Sequence, residues 1–101
     1  MTMLGAAKKS TAHHQAIERV RAWTRTRFNL SEEAALLVVE LACTTPGCPP
    51  LESVIVFWDE QGTRYRFKLF KAMEQIEHDD LPYTWQMSTL VFRDGDELNC
   101  C

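Results

Sequence analysis

The sequence predicts a small α+β protein in which one helix packs against a three-stranded antiparallel sheet. Apolar side chains recur at helical spacing over about residues 12–28, and a hairpin with strand-like alternation occupies about residues 53–71. A chain of 101 residues has the length of one domain and can bury a core. We therefore expect a flexible lead-in at residues 1–10, a single domain at 11–92 and a polar tail at 93–101.

The first helix is indicated by Ile17, Val20, Trp23 and Phe28, which share one helical face. Four basic residues occupy the positions between them: Arg19, Arg21, Arg25 and Arg27. We expect the apolar face to pack on the sheet and the arginines to face solvent.

Residues 31–42 are open between strand and helix, because early alanines and glutamates favour a helix and later valines favour a strand. A proline-rich loop and a clear strand follow at once, which favours a strand at about 36–43. In that strand Val39, Leu41 and Cys43 share one face.

The hairpin predicts strands at about 53–58 and 63–71, with Gly62 supplying a positive φ in the turn. The three strands then form an antiparallel meander. We expect Trp58 to pair with Thr63, which brings Val56 opposite Tyr65 on the core face.

The return strand carries three basic side chains on the face opposite its aromatic residues: Arg64, Arg66 and Lys68. They are a candidate surface for an anionic ligand or an acidic protein partner. The alternative is a solvated face whose side-chain stems cover Ile55 and Phe57.

A last helix is predicted at about residues 81–92, because Asp80 can cap it and Pro82 suits its first turn. Its apolar residues would be Tyr83, Trp85, Leu90, Val91 and Phe92. A flexible polar tail then leads to Cys100 and Cys101.

Four cysteines carry the clearest chemical signal. Cys43 and Cys48 flank four residues, a spacing at the upper end of the range for zinc and iron–sulfur ligand pairs. Pro49 counts against a tight ligand at Cys48, because proline lacks the N–H that often stabilises a bound thiolate. We expect Cys48, Cys100 and Cys101, with Cys43 as a fourth ligand, to bind zinc or an iron–sulfur centre. The alternatives are a buried Cys43, a surface Cys48, or thiol–disulfide chemistry without a Cys-x-x-Cys motif.

Charge and hydropathy exclude several classes of function. The net charge of −3 argues against nucleic acid or an anionic membrane as the main partner. There is no apolar run of membrane-spanning length, and we find no secretory signal pattern, so we expect a cytoplasmic protein. No catalytic constellation is present, and we expect no enzymatic activity.

Two resemblances involve the cysteine loop. The series Glu40-Leu41-Ala42-Cys43, Pro46-Gly47-Cys48-Pro49-Pro50 and Glu52-Ser53-Val54 resembles a family of small uncharacterised bacterial proteins, for which the resemblance implies no activity. The similarity extends to Phe67–Lys71 and Asp79–Pro82.

Thr44-Thr45-Pro46-Gly47-Cys48-Pro49 is also similar to a loop of the phenylacetate-degradation-type iron–sulfur assembly domain, where Cys48 would correspond to the reactive cysteine. In that family a helix follows the loop, whereas residues 54–58 predict a strand here.

The sequence thus supports two functions of different classes. The first is a cytosolic accessory or assembly protein that binds a thiophilic metal through its cysteines and serves an unknown protein partner. The second is a metal-free interaction or regulatory module that uses the basic strand face or exposed aromatic side chains.

Overall fold

The computed structural model describes residues 11–42, 46–47 and 50–92. Helix α1 spans Thr11–Arg27, and the strands are β1 (Leu36–Ala42), β2 (Leu51–Trp58) and β3 (Arg64–Leu69). Three short 3₁₀ helices follow, at Met73–Gln75, His78–Asp80 and Thr84–Leu90. The strands form one antiparallel sheet in the order β1-β2-β3. The small α+β fold and the meander are therefore confirmed, including the strand at residues 36–42.

The core lies between α1 and one face of the sheet, here called the inner face. Phe57 is fully buried and stacks between Phe28 and Tyr65, with ring centroids 4.8 and 5.0 Å apart. The other buried apolar residues of this core are Ala16, Val20, Leu36, Val38, Ile55, Phe67, Met73, Ile76 and Leu81. The first 3₁₀ helix after β3 thus adds Met73 to this core, and Ile76, the residue that follows it, is also part of the core.

The predicted hairpin register is wrong by one residue. Trp58 pairs with Arg64 rather than Thr63, so Phe57 lies opposite Tyr65 and Ile55 opposite Phe67. The shift moves the inner face of β2 from its valines to Ile55 and Phe57, because side chains alternate between faces with a period of two.

The cause is the turn. Asp59 pairs with Thr63 through a backbone N–H···O bond of 3.1 Å, which leaves a loop of three residues, 60–62. The Gly62 N–H donates to the Asp59 carbonyl at 3.1 Å, and Gly62 has a φ of 84°. This is a turn followed by a bulge at a left-handed glycine, and the bulge adds the residue that shifts the register.

The Asp59 carboxylate holds the turn together. It accepts hydrogen bonds from the N–H groups of Thr63 and Gln61, both at 2.9 Å, and from the Tyr65 hydroxyl at 3.1 Å. These bonds, led by that from Thr63, lower the pKa of Asp59. Burial and the bond to Asp59 raise the pKa of Tyr65.

Because folding lowers the pKa of Asp59, its stabilising contribution is present above the unfolded-state pKa and is lost as pH falls through the folded-state pKa. We expect the urea midpoint of the wild type to fall below about pH 4, and to fall less steeply in Asp59→Asn. Glu60→Gln, which removes a carboxylate from the same turn, controls for net charge. Identical pH slopes in wild type and Asp59→Asn would contradict this role.

The predicted last helix is a shorter 3₁₀ helix, Thr84–Leu90, and not an α-helix over 81–92. The Gln86 side chain accepts the Tyr83 N–H at 2.8 Å, and the Thr89 hydroxyl bonds to the Gln86 carbonyl at 2.6 Å. Such local bonds compete with an α-helical ladder. Val91 then pairs with Tyr65 of β3, so the chain leaves the helix for the sheet edge.

Candidate functional site

The cysteine prediction falls outside the part of the chain that the structure describes. Cys43, Cys48, Cys100 and Cys101 all lie in residues whose placement is not given. Ala42 and Leu51, which flank the segment that contains Cys43 and Cys48, pair across β1 and β2. Cys43 and Cys48 therefore belong to a connection of eight residues that joins the end of β1 to the start of β2, at one end of the strands.

The last described residue, Phe92, lies at the other end of the strands, beside the start of β3. The Phe92 N–H donates to the carbonyl of Arg64, the first residue of β3, at 2.8 Å. Leu69 ends β3 five residues further along, which corresponds to about 17 Å at about 3.3 Å per residue. The eight residues from Phe92 to Cys100 extend to about 28 Å at most, so chain length permits the terminal pair to reach the loop. A shared centre of four thiols stays a prediction.

No group of three or more His, Cys, Asp or Glu side chains that could hold a metal ion occurs among residues 11–42, 46–47 and 50–92. This finding does not concern the cysteines, which lie outside those ranges.

The predicted basic row lies on the outer face of the sheet, opposite α1. The Arg64 and Arg66 guanidinium groups stand over the Phe92 ring, 4.5 and 4.3 Å from its centroid, and Arg64 Nε donates to the Phe92 carbonyl at 3.1 Å. Lys68 Nζ lies 3.7 Å from Glu52 Oε1. Each of these basic side chains therefore has a contact within the chain, and their use by a partner stays a prediction.

Glu52 is an unusual group on the same outer face. Its side chain is 5% exposed, and its Oε2 atom accepts no hydrogen bond from the residues that the structure describes. Leu41, its partner across the strands, is 45% exposed. A buried carboxylate oxygen without a donor costs free energy, and a cation or a donor placed beside it would remove that cost.

An open cleft of about 790 Å³ lies between the loop after α1 and the β2–β3 turn. Phe28, Trp58 and Met87 supply apolar surface, and Glu33 and Glu60 stand at its walls. Glu33 and Glu60 are exposed to solvent, and the third carboxylate, Asp59, is held by the turn. We find no buried polar group directed into this cleft from the residues that line it.

Sequence reasoning missed the most exposed apolar feature of the described chain. Trp85 is 79% exposed and Tyr83 is 54% exposed, whereas the sequence predicted them only as apolar residues of a last helix. Their rings are nearly parallel, with an interplanar angle of 7° and centroids 6.2 Å apart. We call Tyr83 and Trp85 the aromatic surface.

Arg27, near the end of α1, anchors the aromatic surface to the rest of the fold. Its Nη1 donates to the carbonyls of Leu81 and Pro82 at 3.1 and 2.8 Å, and its guanidinium lies 5.4 Å from the Tyr83 ring centroid. The Arg27 carbonyl in turn accepts the Thr84 hydroxyl at 3.0 Å. A planar guanidinium has donors in the directions that these partners require.

His78 completes this anchor. Arg27 Nη2 lies 3.2 Å from His78 Nδ1, and the His78 ring meets Trp23 edge to face at 5.6 Å. Because arginine only donates, His78 Nδ1 is the acceptor in this hydrogen bond. Glu77 and Asp79, on either side of His78, are exposed to solvent.

The architecture defines a small α+β protein with one helix on a three-stranded antiparallel sheet. A comparison with models of known protein families finds no match for this chain, and comparisons with curated proteins and with solved structures find none. The two resemblances of the cysteine loop accordingly stay predictions. Among the described residues there is no helix long and apolar enough to cross a membrane.

Proposed function

We propose that this protein is an interaction module that binds a protein partner through the aromatic surface. The observation that carries the proposal is the exposure of Trp85, 79%, on a segment that Arg27 holds against α1. An exposed tryptophan on a fixed backbone loses little conformational entropy on binding. Tryptophan, tyrosine and arginine are also the residues that most often dominate binding energy at protein interfaces.

Covering the large ring of Trp85 gives enough favourable free energy for a partner to bind. Covering a large aromatic side chain removes roughly 150–250 Å² from water, which corresponds to about 4–6 kcal/mol of gross favourable free energy. Tyr83 adds to this surface, since its ring centroid lies 6.2 Å from that of Trp85. Much of the gross gain offsets the entropy of association, so we expect moderate affinity.

Selection of a random dodecapeptide phage library on the purified protein tests the proposal. We expect enriched peptides that lose binding to Trp85→Ser by on the order of tenfold or more. The matched control is Leu41→Ser, which replaces another exposed apolar residue, on the outer sheet face. Failure to enrich any peptide whose binding depends on Trp85 would overturn the interaction function at this surface.

We also propose a second function, thiophilic metal binding in an accessory or assembly role. Its ligands would be Cys48, Cys100 and Cys101, with Cys43 as the fourth, and its metal zinc or an iron–sulfur centre. Support comes from Glu52, whose buried Oε2 accepts no hydrogen bond from the described residues and which follows Cys48 by four residues in the chain. We place the protein in the cytoplasm, where its thiols would be reduced and available as ligands.

Native mass spectrometry of protein purified without a histidine tag, with and without chelator, tests metal binding. We expect a stoichiometric metal that the double substitution Cys100→Ser and Cys101→Ser removes, because each lost thiolate takes away a ligand. Asn99→Ser keeps every thiol and is the control. Metal-free protein in every preparation, unchanged by added zinc or iron, would reject the site.

A further inference from the structure

We infer that this protein self-associates through β1, with the β1 strands of two copies pairing antiparallel about a twofold axis at Val39. This interface goes beyond the interaction function proposed above, because it uses a different element from the aromatic surface. Three features of β1 support it: an open backbone edge, exposed apolar side chains without protecting charges, and a spacing of those side chains that is symmetric about Val39.

β1 is an edge of the sheet, because the strand order is β1-β2-β3. Next to its first residue, the Trp58 N–H donates to the Ala35 carbonyl at 3.2 Å. Hydrogen-bonded pairs alternate with non-bonded pairs along an antiparallel ladder, so the backbone groups of residues 36, 38, 40 and 42 point away from β2. Arg21 Nη1 donates to the Leu36 carbonyl from that side, at 3.2 Å. The N–H and carbonyl of Val38 make no backbone hydrogen bond to another residue of the described ranges, so they are available to a further strand.

β1 lacks the features that usually keep a sheet edge from pairing with another chain, namely a short strand or exposed charges. β3, the other edge, is blocked at its start by Val91, which pairs with Tyr65, and it carries the row of basic side chains. β1 has seven residues, and its one charged side chain, Glu40, is only 8% exposed and accepts the Met73 N–H at 2.7 Å. Pairing along β1 would therefore bury no exposed charge.

The exposed side chains of β1 are apolar and lie on the outer face. Leu37 is 48% exposed and Leu41 is 45% exposed, and they stand two residues before and two residues after Val39. A twofold axis at Val39 places Leu37 of each copy opposite Leu41 of the other and brings all seven residues of both strands into register. Position 38 then faces position 40, so the outward backbone groups of the two edges meet as hydrogen-bonded pairs. A second copy thus supplies apolar partners for both leucines by symmetry, which an unrelated strand would have to match by its own sequence.

Sedimentation equilibrium of the full chain over about 5–500 μM tests the inference, since this range brackets the affinity expected of a small strand–strand interface. A reductant and a chelator in the buffer exclude dimers linked by disulfides or by metal. We expect a monomer–dimer equilibrium with a dissociation constant on the order of 10 μM. A monomer at every concentration, or assembly beyond a dimer, would overturn the inference.

Two substitutions of opposite charge test the register. Leu37→Lys and Leu41→Glu should each weaken the dimer on the order of tenfold, because each sets a charge opposite a leucine at both ends of the interface. In the double variant the introduced lysine faces the introduced glutamate of the other copy, and we expect it to dimerise at least about fivefold more tightly than either single variant. The two positions lie about 13 Å apart within one strand, too far to pair with each other. A double variant that is no tighter than the single variants would overturn the pairing about Val39.

Two controls separate β1 from the other surfaces. Trp85→Ser should dimerise like the wild type, and a monomeric Trp85→Ser would assign self-association to the aromatic surface and overturn the inference. Amide hydrogen exchange gives a readout that needs no substitution, because the Val38 N–H should exchange on the order of tenfold more slowly at about 500 μM than at about 1 μM. The Lys68 N–H, on the opposite edge of the sheet, should exchange equally at both concentrations. Equal exchange of Val38 at the two concentrations would contradict pairing along β1.

Discussion

Replacing Phe57 by alanine is expected to lower the free energy of unfolding by about 3–5 kcal/mol. Phe57 is fully buried, and its ring stacks between Phe28 after α1 and Tyr65 on β3. The substitution leaves a cavity where the helix layer meets the sheet, and the flanking rings belong to different elements that cannot both close over it. Since small domains are stable by about 5–15 kcal/mol, this loss is a large share of the total.

Urea unfolding followed by circular dichroism measures the effect, with a lower midpoint and an unchanged slope expected. The control is Leu37→Ala, on the outer face of the neighbouring strand, where 48% of the side chain is exposed. It should cost about 1 kcal/mol or less. Equal losses in the two variants would show that Phe57 is not the centre of the core.

The face of the sheet on which Phe57 lies could not be predicted from the sequence. The alternation in β3 correctly assigned Tyr65 and Phe67 to the inner face. The apolar residues of β2 point to both faces, so its own pattern favours neither register. The register was decided by one extra residue in the turn at Gly62, and a single-residue difference in loop length moves Phe57 from one face to the other.

The prediction of a last α-helix was wrong for a different reason. Apolar residues between 83 and 92 predicted one α-helix, but the bond that Gln86 Oε1 accepts from the Tyr83 N–H and the bond that the Thr89 hydroxyl donates to the Gln86 carbonyl stabilise a 3₁₀ helix. The backbone of Phe92 is engaged by Arg64 of β3, a contact between residues far apart in the chain. Propensity within a short window does not contain such tertiary bonds, which override it.

The candidate surface was only partly accessible to sequence reasoning. Exposed aromatic side chains were foreseen as one basis for a partner site, but Trp85 was predicted only as an apolar residue of the last helix and was not singled out. The signal that identifies it is the contact of Arg27 with Leu81 and Pro82, more than fifty residues away. The arginines of α1 look equivalent in the sequence, and only the folded chain distinguishes Arg27 from Arg19.

Replacing Arg27 by methionine is expected to lower the free energy of unfolding by about 1–3 kcal/mol, because it removes the donor to two carbonyls and the contact with His78. It should also weaken any ligand of the aromatic surface by about tenfold, since the rings would no longer be held in one orientation before binding. Arg27→Lys keeps the charge, but one ammonium group lacks the planar fork that serves these partners together, so it should restore only a small part of the loss.

The matched control is Arg19→Met, which removes the same charge from α1 and a guanidinium that lies 5.6 Å from the Trp23 ring centroid. Its cost should stay within about 0.5 kcal/mol, the usual range for a surface substitution. Urea unfolding measures stability, and amide hydrogen exchange over residues 81–86 reports whether the segment has come loose from α1. If Arg27→Met exchanges and unfolds like Arg19→Met, the aromatic surface is held by something other than Arg27. We expect that in Arg27→Met amide exchange rises at residues 81–86 while the core strands stay protected. That result would show that Arg27 positions the segment that carries Tyr83 and Trp85, so that α1 contributes to the aromatic surface without forming part of it.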